Sequence, residues 1–181
     1  MNISYKGKIL ISTPNISGDI FSRSVVLIIE HNEEGAMGLI INKKNEILSK
    51  RFREVFGVDI KVYEGGPVEP NRLLFIIKSH QEILGEKIDR QYYFTNDAEE
   101  VVNKIFENKI TIDDIKVFSG YSGWTKNQLD NEISHRFWQE AQSSAIDYTA
   151  SYDDTLWKFI MQNLGDDFLI WANAPKDIRL N

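Results

Sequence analysis

Gly120-Tyr121-Ser122-Gly123-Trp124 is the stretch whose residue types come nearest to chemistry. A serine among glycines after a strand-like run suggests a nucleophile elbow, in which a strained turn lifts the hydroxyl toward substrate. That pattern, G-x-S-x-G, needs glycine two residues past the serine, and Trp124 occupies that place. Glycine-rich backbone N–H groups ahead of a helix could instead cradle an anion or a ligand carboxylate. A tight turn that packs Tyr121 and Trp124 into the core explains the same residues with no ligand at all. Gln128 and Glu132 lie four apart, share a helical face, and could hydrogen-bond a ligand above this loop. Gln128 also completes a capping box with Thr125, which accounts for it structurally.

Other chemistry-bearing residues are scattered. Gly65-Gly66-Pro67 leaves a strand with two conformationally free residues and one fixed one, as either a sheet corner or a ligand-approach loop. His31, His80 and His135 are the only histidines, and none is spaced as H-x-H or H-E-x-x-H, so no metal site is expected. His31 continues the face of Val25, Leu27 and Ile29, which predicts a hydrogen-bonded histidine at a strand end. Lys43, Lys44, Lys50, Arg51 and Arg53 form the one basic cluster, suited to phosphate contacts or to a solvated helix face.

The elements that must position these residues follow from hydrophobic period and capping signals. Strands are expected at Lys8 to Ser12, Val25 to His31, Ala36 to Asn42, Lys61 to Tyr63, Leu73 to Lys78, Tyr92 to Thr95, Ile115 to Phe118 and Phe137 to Ala141. The Val25 run is apolar on both faces, as in a strand buried on both sides, and Asn32 to Gly35 supplies its hairpin turn. A helix over Leu48 to Phe56 would point Leu48, Phe52, Val55 and Phe56 inward and stop at Gly57. Asn96 or Asp97 caps a second helix with Val101, Val102, Ile105 and Phe106 as its apolar residues. A third runs through Leu129 and Ile133. Asp153 caps a fourth, with Leu156, Phe159, Ile160 and Leu164 inward and Gly165 as its stop.

At 181 residues the chain suits a single domain with a substantial core. The absence of cysteine removes disulfides, thiolate nucleophiles and cysteine-held metals together. The apolar run Ile9-Leu10-Ile11 is too short for a secretory signal, and no run approaches the ~20 residues that span a bilayer. A cytoplasmic protein with no membrane association is the expectation. A net charge of −6 argues against general affinity for nucleic acid.

Several segments, in order, resemble the AlgH/YqgE family of bacterial proteins. They are Lys6-Gly7-Lys8-Ile9-Leu10-Ile11-Ser12-Thr13-Pro14, then Phe21-Ser22-Arg23-Ser24-Val25-Val26-Leu27-Ile28-Ile29-Glu30-His31. Gly35-Ala36-Met37-Gly38-Leu39-Ile40-Ile41-Asn42 and Tyr63-Glu64-Gly65-Gly66-Pro67-Val68 follow. Gly120 to Trp124 comes last, with Gln128-Leu129 and Glu132-Ile133. The resemblance implies an α+β fold in which a bent mixed sheet forms a partial barrel flanked by helices. It implies no cofactor, and its regulatory label comes from a link to transcriptional control in one member. The family pattern admits alanine at Ser122, against a nucleophile there, and often has proline where this chain has Lys44.

These readings converge on a binding domain, not a catalyst, with a small molecule or a partner protein as ligand. The candidate surface joins His31, Gly65, Gly66, Pro67, Tyr121, Ser122, Gly123, Trp124, Gln128 and Glu132. A hydrolase acting through Ser122, and a transcriptional regulator working through a partner, are the alternatives.

Overall fold

The computed structural model describes residues 4–16, 19–142 and 144–175. Among these, nine strands form one curled sheet: β1 Ile9–Ser12, β2 Val25–Asn32, β3 Gly35–Ile40, β4 Val62–Glu64, β5 Val68–Lys78, β6 Glu86–Asp89, β7 Tyr92–Thr95, β8 Ile115–Thr125 and β9 Trp138–Ala141. The spatial order is β6-β7-β5-β8-β3-β2-β1-β9, with β4 beside β8. Every pairing is antiparallel except β4 with β8, so the sheet is mixed. The curl brings the two ends together: Tyr148 donates to Gly7 O near one end and to Asp89 Oδ2 at the other, each at 3.4 Å. A Lys6–Glu86 ion pair crosses the same seam.

Five helices flank this half-barrel: α1 Glu46–Phe56, α2 Ala98–Phe106, α3 Gln128–Ser134, α4 Asp154–Asn163 and α5 Asp166–Asn173. The concave core joins Ile9, Leu27, Leu39, Leu74 and Phe118 to Trp157, Ile160 and Met161 of α4. On the other face, Leu10, Val26, Ile28, Trp124 and Trp138 pack with Leu129 of α3. Further along, Val62, Phe75, Ile77 and Val117 pack with Val101 of α2 and with Leu48 and Phe52 of α1. The apolar run of β2 is therefore divided residue by residue between two cores. Burying each such side chain contributes about 1.5–3 kcal/mol.

Caps behave as their residue types dictate. Asn45 and Asp97 accept from the backbone N–H three residues on, and Gly57 closes α1 in the left-handed region at φ 67°. Three helical faces differ from expectation. Val55 and Phe56 of α1 are 67% and 63% exposed, because α1 meets the sheet through Leu48, Ser49 and Phe52, on its other side. On α2, Val102 and Phe106 are exposed while Val101 is buried. In α4, Trp157 and Met161 are buried in place of Phe159, since Trp157 donates to Ser12 O at 2.7 Å and sets the helix rotation. Helix α5, starting just after Gly165, and the edge strand β6 had no sequence expectation.

Candidate functional site

The expected loop at Gly120 to Trp124 is not a loop. It is the second half of β8, hydrogen-bonded to β3 with Ala36 opposite Trp124 and Gly38 opposite Ser122. Neither a nucleophile elbow nor an anion-cradling turn exists in a paired strand. Ser122 is fully buried, and its hydroxyl donates to Gly65 O at 3.0 Å. Gly65 also donates its N–H to Ser119 O and accepts from Ile40 N, both at 3.0 Å, so it stitches β4, β3 and β8 together. A Cβ on Gly66 would lie 2.2 Å from the Tyr121 carbonyl carbon, which only glycine avoids. The two glycine motifs thus converge on each other as a close backbone crossing, with Pro67 exposed just beyond and Tyr121 packed on the concave core. Gly123 is exposed on that strand.

Trp124 turns to the opposite face, where it is 7% exposed and meets Trp138 edge-on with ring centroids 5.8 Å apart. Both indole N–H groups donate to Glu132 Oε2 at 2.8 Å, and Gln128 Nε2 donates to Oε1 at 2.9 Å. The Gln128 carbonyl then accepts from Thr125 N and Oγ1 at 3.0 and 3.2 Å, the return half of a capping box. The helix itself starts later than expected, after Asn127 at φ 60°. Glu132, expected as a candidate ligand contact, joins two tryptophans to the start of α3.

His31 also changes sides. A bulge in β2 between Ile28 and Glu30 shifts the register by one, so His31 lies opposite Ala36 and leaves the face of Val25, Leu27 and Ile29. Its Nδ1 accepts from Tyr5 N at 3.1 Å, and Nε2 stands 3.5 Å from Asp130 Oδ2 of α3. His31, Trp124, Gln128 and Glu132 are thereby gathered around α3, with the glycine crossing beside them along β8. Among the described residues, no three of His, Asp and Glu are gathered as metal ligands would be.

The concave side of β8 holds a residue that the sequence reading passed over. Lys116 is 2% exposed, and its Nζ donates to Ile41 O and Ala150 O, both at 2.7 Å. The amine sits 3.8 Å from the Tyr63 ring centroid and 5.1 Å from that of Tyr152. Burial pushes it well below the usual lysine range; Asp147 opposes that shift and Lys44 adds to it. Around it, Tyr63 shares a 2.9 Å hydrogen bond with Ser151 Oγ and accepts from Tyr152 N at 3.1 Å. Burial also opposes the Asp147 charge, but hydrogen bonds from Lys78 and Thr149 outweigh it and bring the carboxyl down to about 2. A cleft of about 320 Å³ opens beside this cluster, lined by Lys61, Tyr63, Ile112, Asp113, Lys116 and Ser151 among others.

Comparison with known proteins settles the family. The AlgH-like family model matches residues 9–169, most of the chain. The chain belongs to the AlgH-like family. A UPF0301 protein of Parabacteroides distasonis is 37% identical over 97% of this chain and 91% of its own length. One from Chlamydia muridarum is 33% identical over 97% and 95%. The solution structure of AlgH from Pseudomonas aeruginosa superposes with TM-score 0.71 at 22% identity, over 97% of this chain and 98% of that one. A crystal structure from Corynebacterium diphtheriae gives 0.74 at 19% identity, over 96% and 94%. The AlgH-like half-barrel is thus shared, and the glycine crossing and tryptophan node of this chain are built from the segments that carried the family resemblance. At Lys44, where the family often has proline, this member forms an isolated bridge with Tyr63, on the strand bordering the lysine cluster. The one signal pointing to Lys116 was a single charge inside Ile115-Lys116-Val117-Phe118, a pattern that an ordinary solvent-facing strand position shares.

Proposed function

We propose that this AlgH-like protein is a non-catalytic binding domain whose ligand enters the cleft beside Lys116. One contrast carries the reading: the motif side chains able to do chemistry are consumed within the fold, whereas the cleft offers polar groups to a ligand. Ser122 spends its proton on Gly65 O, and Glu132 is occupied by two indoles and an amide. In this reading the glycine crossing, His31 and the tryptophan node are the scaffold that holds β8, and β8 presents Lys116 to the cleft. The volume of about 320 Å³ suits a small ligand, at the lower end of the range such sites occupy. Direct reading of duplex DNA by the chain alone does not fit its net charge of −6. A thermal-shift screen against metabolites, followed by nuclear magnetic resonance mapping of any hit, tests the proposal. The expected outcome is a stabilising compound that perturbs the amides of Lys61, Ile112 and Ser151 and is recovered unchanged. A hit that maps instead to the Gly65–Ser122 crossing, or turnover abolished by Ser122→Ala in a folded variant, overturns it.

A further inference from the structure

A lysine amine is a nucleophile only when neutral, and at pH 7 an ordinary one is neutral in fewer than about one molecule in a thousand. A protein changes that by desolvating the amine and keeping carboxylates away from it. Lys116 meets both conditions. It is 2% exposed, and among the described residues no Asp or Glu forms an ion pair with it. Burial lowers its pKa well below the ordinary value; Asp147, itself engaged by Lys78, opposes that shift, and Lys44 adds to it. Its hydrogen bonds run to the Ile41 and Ala150 carbonyls, one for each N–H of a neutral amine, and a lone pair is left over.

The amine also stands next to open space. Lys116 lines the cleft, as do Tyr63, whose ring centroid is 3.8 Å from Nζ, and Ala150, which supplies one of the two carbonyls. Ser151, exposed on the same wall, shares a hydrogen bond with the Tyr63 hydroxyl, which also accepts from Tyr152 N. With the phenol proton given to Ser151, the serine proton is free for a ligand oxygen. Ile60, Ile112 and Ile115 make the lining partly apolar, and its charges offset one another: Asp59 is held by Arg53, and Asp113 stands against Lys61. Such a cleft suits a small molecule without net charge.

We infer that the cleft takes a small uncharged aldehyde or ketone, and that Lys116 holds it as a reversible imine. This rests on the binding reading above and names the ligand class for that site. The amine lone pair forms the N–C bond while the C=O π pair moves to oxygen, which takes up a proton that the nitrogen gives up. The carbinolamine then loses its hydroxyl, with the second nitrogen proton, as water, and C=N remains. Hydrolysis runs the same steps backward and releases the ligand unchanged. Ser151 orients the carbonyl by hydrogen-bonding its oxygen.

The experiment incubates the full-length protein with propanal and sodium cyanoborohydride, which reduces an imine to a stable secondary amine, and maps labelled lysines by mass spectrometry. At pH 7 and limiting propanal, Lys116 should label about tenfold faster or more than the exposed Lys126. That ratio should fall as pH climbs and Lys126 gains neutral amine. Ile112→Trp, which narrows the cleft from an exposed position, should slow Lys116 severalfold and leave Lys126 unchanged. Lys116 labelled no faster than Lys126, or equally fast in Ile112→Trp, overturns the inference. Parallel ¹⁵N titrations with propan-1-ol, which binds without reacting, keep the two readings apart. Saturable shifts at the amides of Lys61, Ile112 and Ser151 beside an unlabelled Lys116 would leave the cleft a binding site and remove the imine. No label and no shift would count against both.

Discussion

Glu132 and Lys116 each place one ionisable group among aromatic rings, on opposite faces of the same strand system, and they end in different circumstances. Glu132 accepts from two indoles and one amide, so both of its oxygens are occupied within the fold. Lys116 donates to two carbonyls, keeps a tyrosine face against it, and borders an open cleft. The first arrangement closes a structural node; the second leaves a buried amine at the border of space a ligand can enter. The segments densest in recognisable motifs built the closed node and the glycine crossing, while the open site grew around a lysine that no motif marks. Motif density in this fold therefore tracks close packing, where few residue types fit, more than it tracks accessibility.

The sharpest way to break this comparison is at the tryptophan node. Trp124→Ala should cost about 3–5 kcal/mol, since it empties a buried ring site and frees one Glu132 contact. Chemical denaturation reads this, and a loss under about 1 kcal/mol would mean the node does not hold α3 to the sheet.

At the other node, Lys116→Met keeps the stem and removes the amine, leaving the Ile41 and Ala150 carbonyls unpaired at a net cost of about 2 kcal/mol. Its pH dependence separates the two nodes further. The folded state holds the Lys116 proton more weakly than the unfolded chain, so the wild type bears a penalty that fades as pH rises toward the ordinary value of 10.5. Wild-type stability should therefore climb relative to Lys116→Met through the alkaline range. A difference that stays flat there would mean the amine is not desolvated.

Asp147 gives a smaller effect of opposite sense. Its carboxyl titrates at about 2 against an ordinary 3.8, so its contribution is present above the ordinary value and is lost as pH falls toward the folded one. The full shift corresponds to about 2 kcal/mol, and solvent screening of a side chain that is 37% exposed reduces it to about 1 kcal/mol. Acid titration of Asp147→Asn against wild type should show the two stabilities converging as pH drops; parallel curves would detach Lys78 and Thr149 from this role.

The smallest expected effect is at Ser122. Replacing it with alanine removes one hydrogen bond to a carbonyl that keeps its Ile40 partner, at a cost of about 0.5–1 kcal/mol. Ester, amide and phosphoester assays should not distinguish the variant from wild type.

What the sequence determined by itself is the local structure: the two-faced apolar run of β2, the caps at Asp97 and Asp153, the stop at Gly57, and the span of β7. Each depends on a residue's own neighbours a few positions away, through period, capping or permitted φ. The tertiary structure decided everything that required a partner far along the chain. It extended β8 through Gly120 to Trp124 because β3 lies alongside, and it flipped His31 through a bulge that no composition signals. It spent Glu132 on Trp138, six residues away, and on Trp124, eight away, and it buried Lys116 beneath Tyr63 and a segment thirty-four residues downstream. A lysine between apolar neighbours reads as a solvent-facing strand position until the second layer is known. Whether its amine meets water or two carbonyls is set by what packs over it.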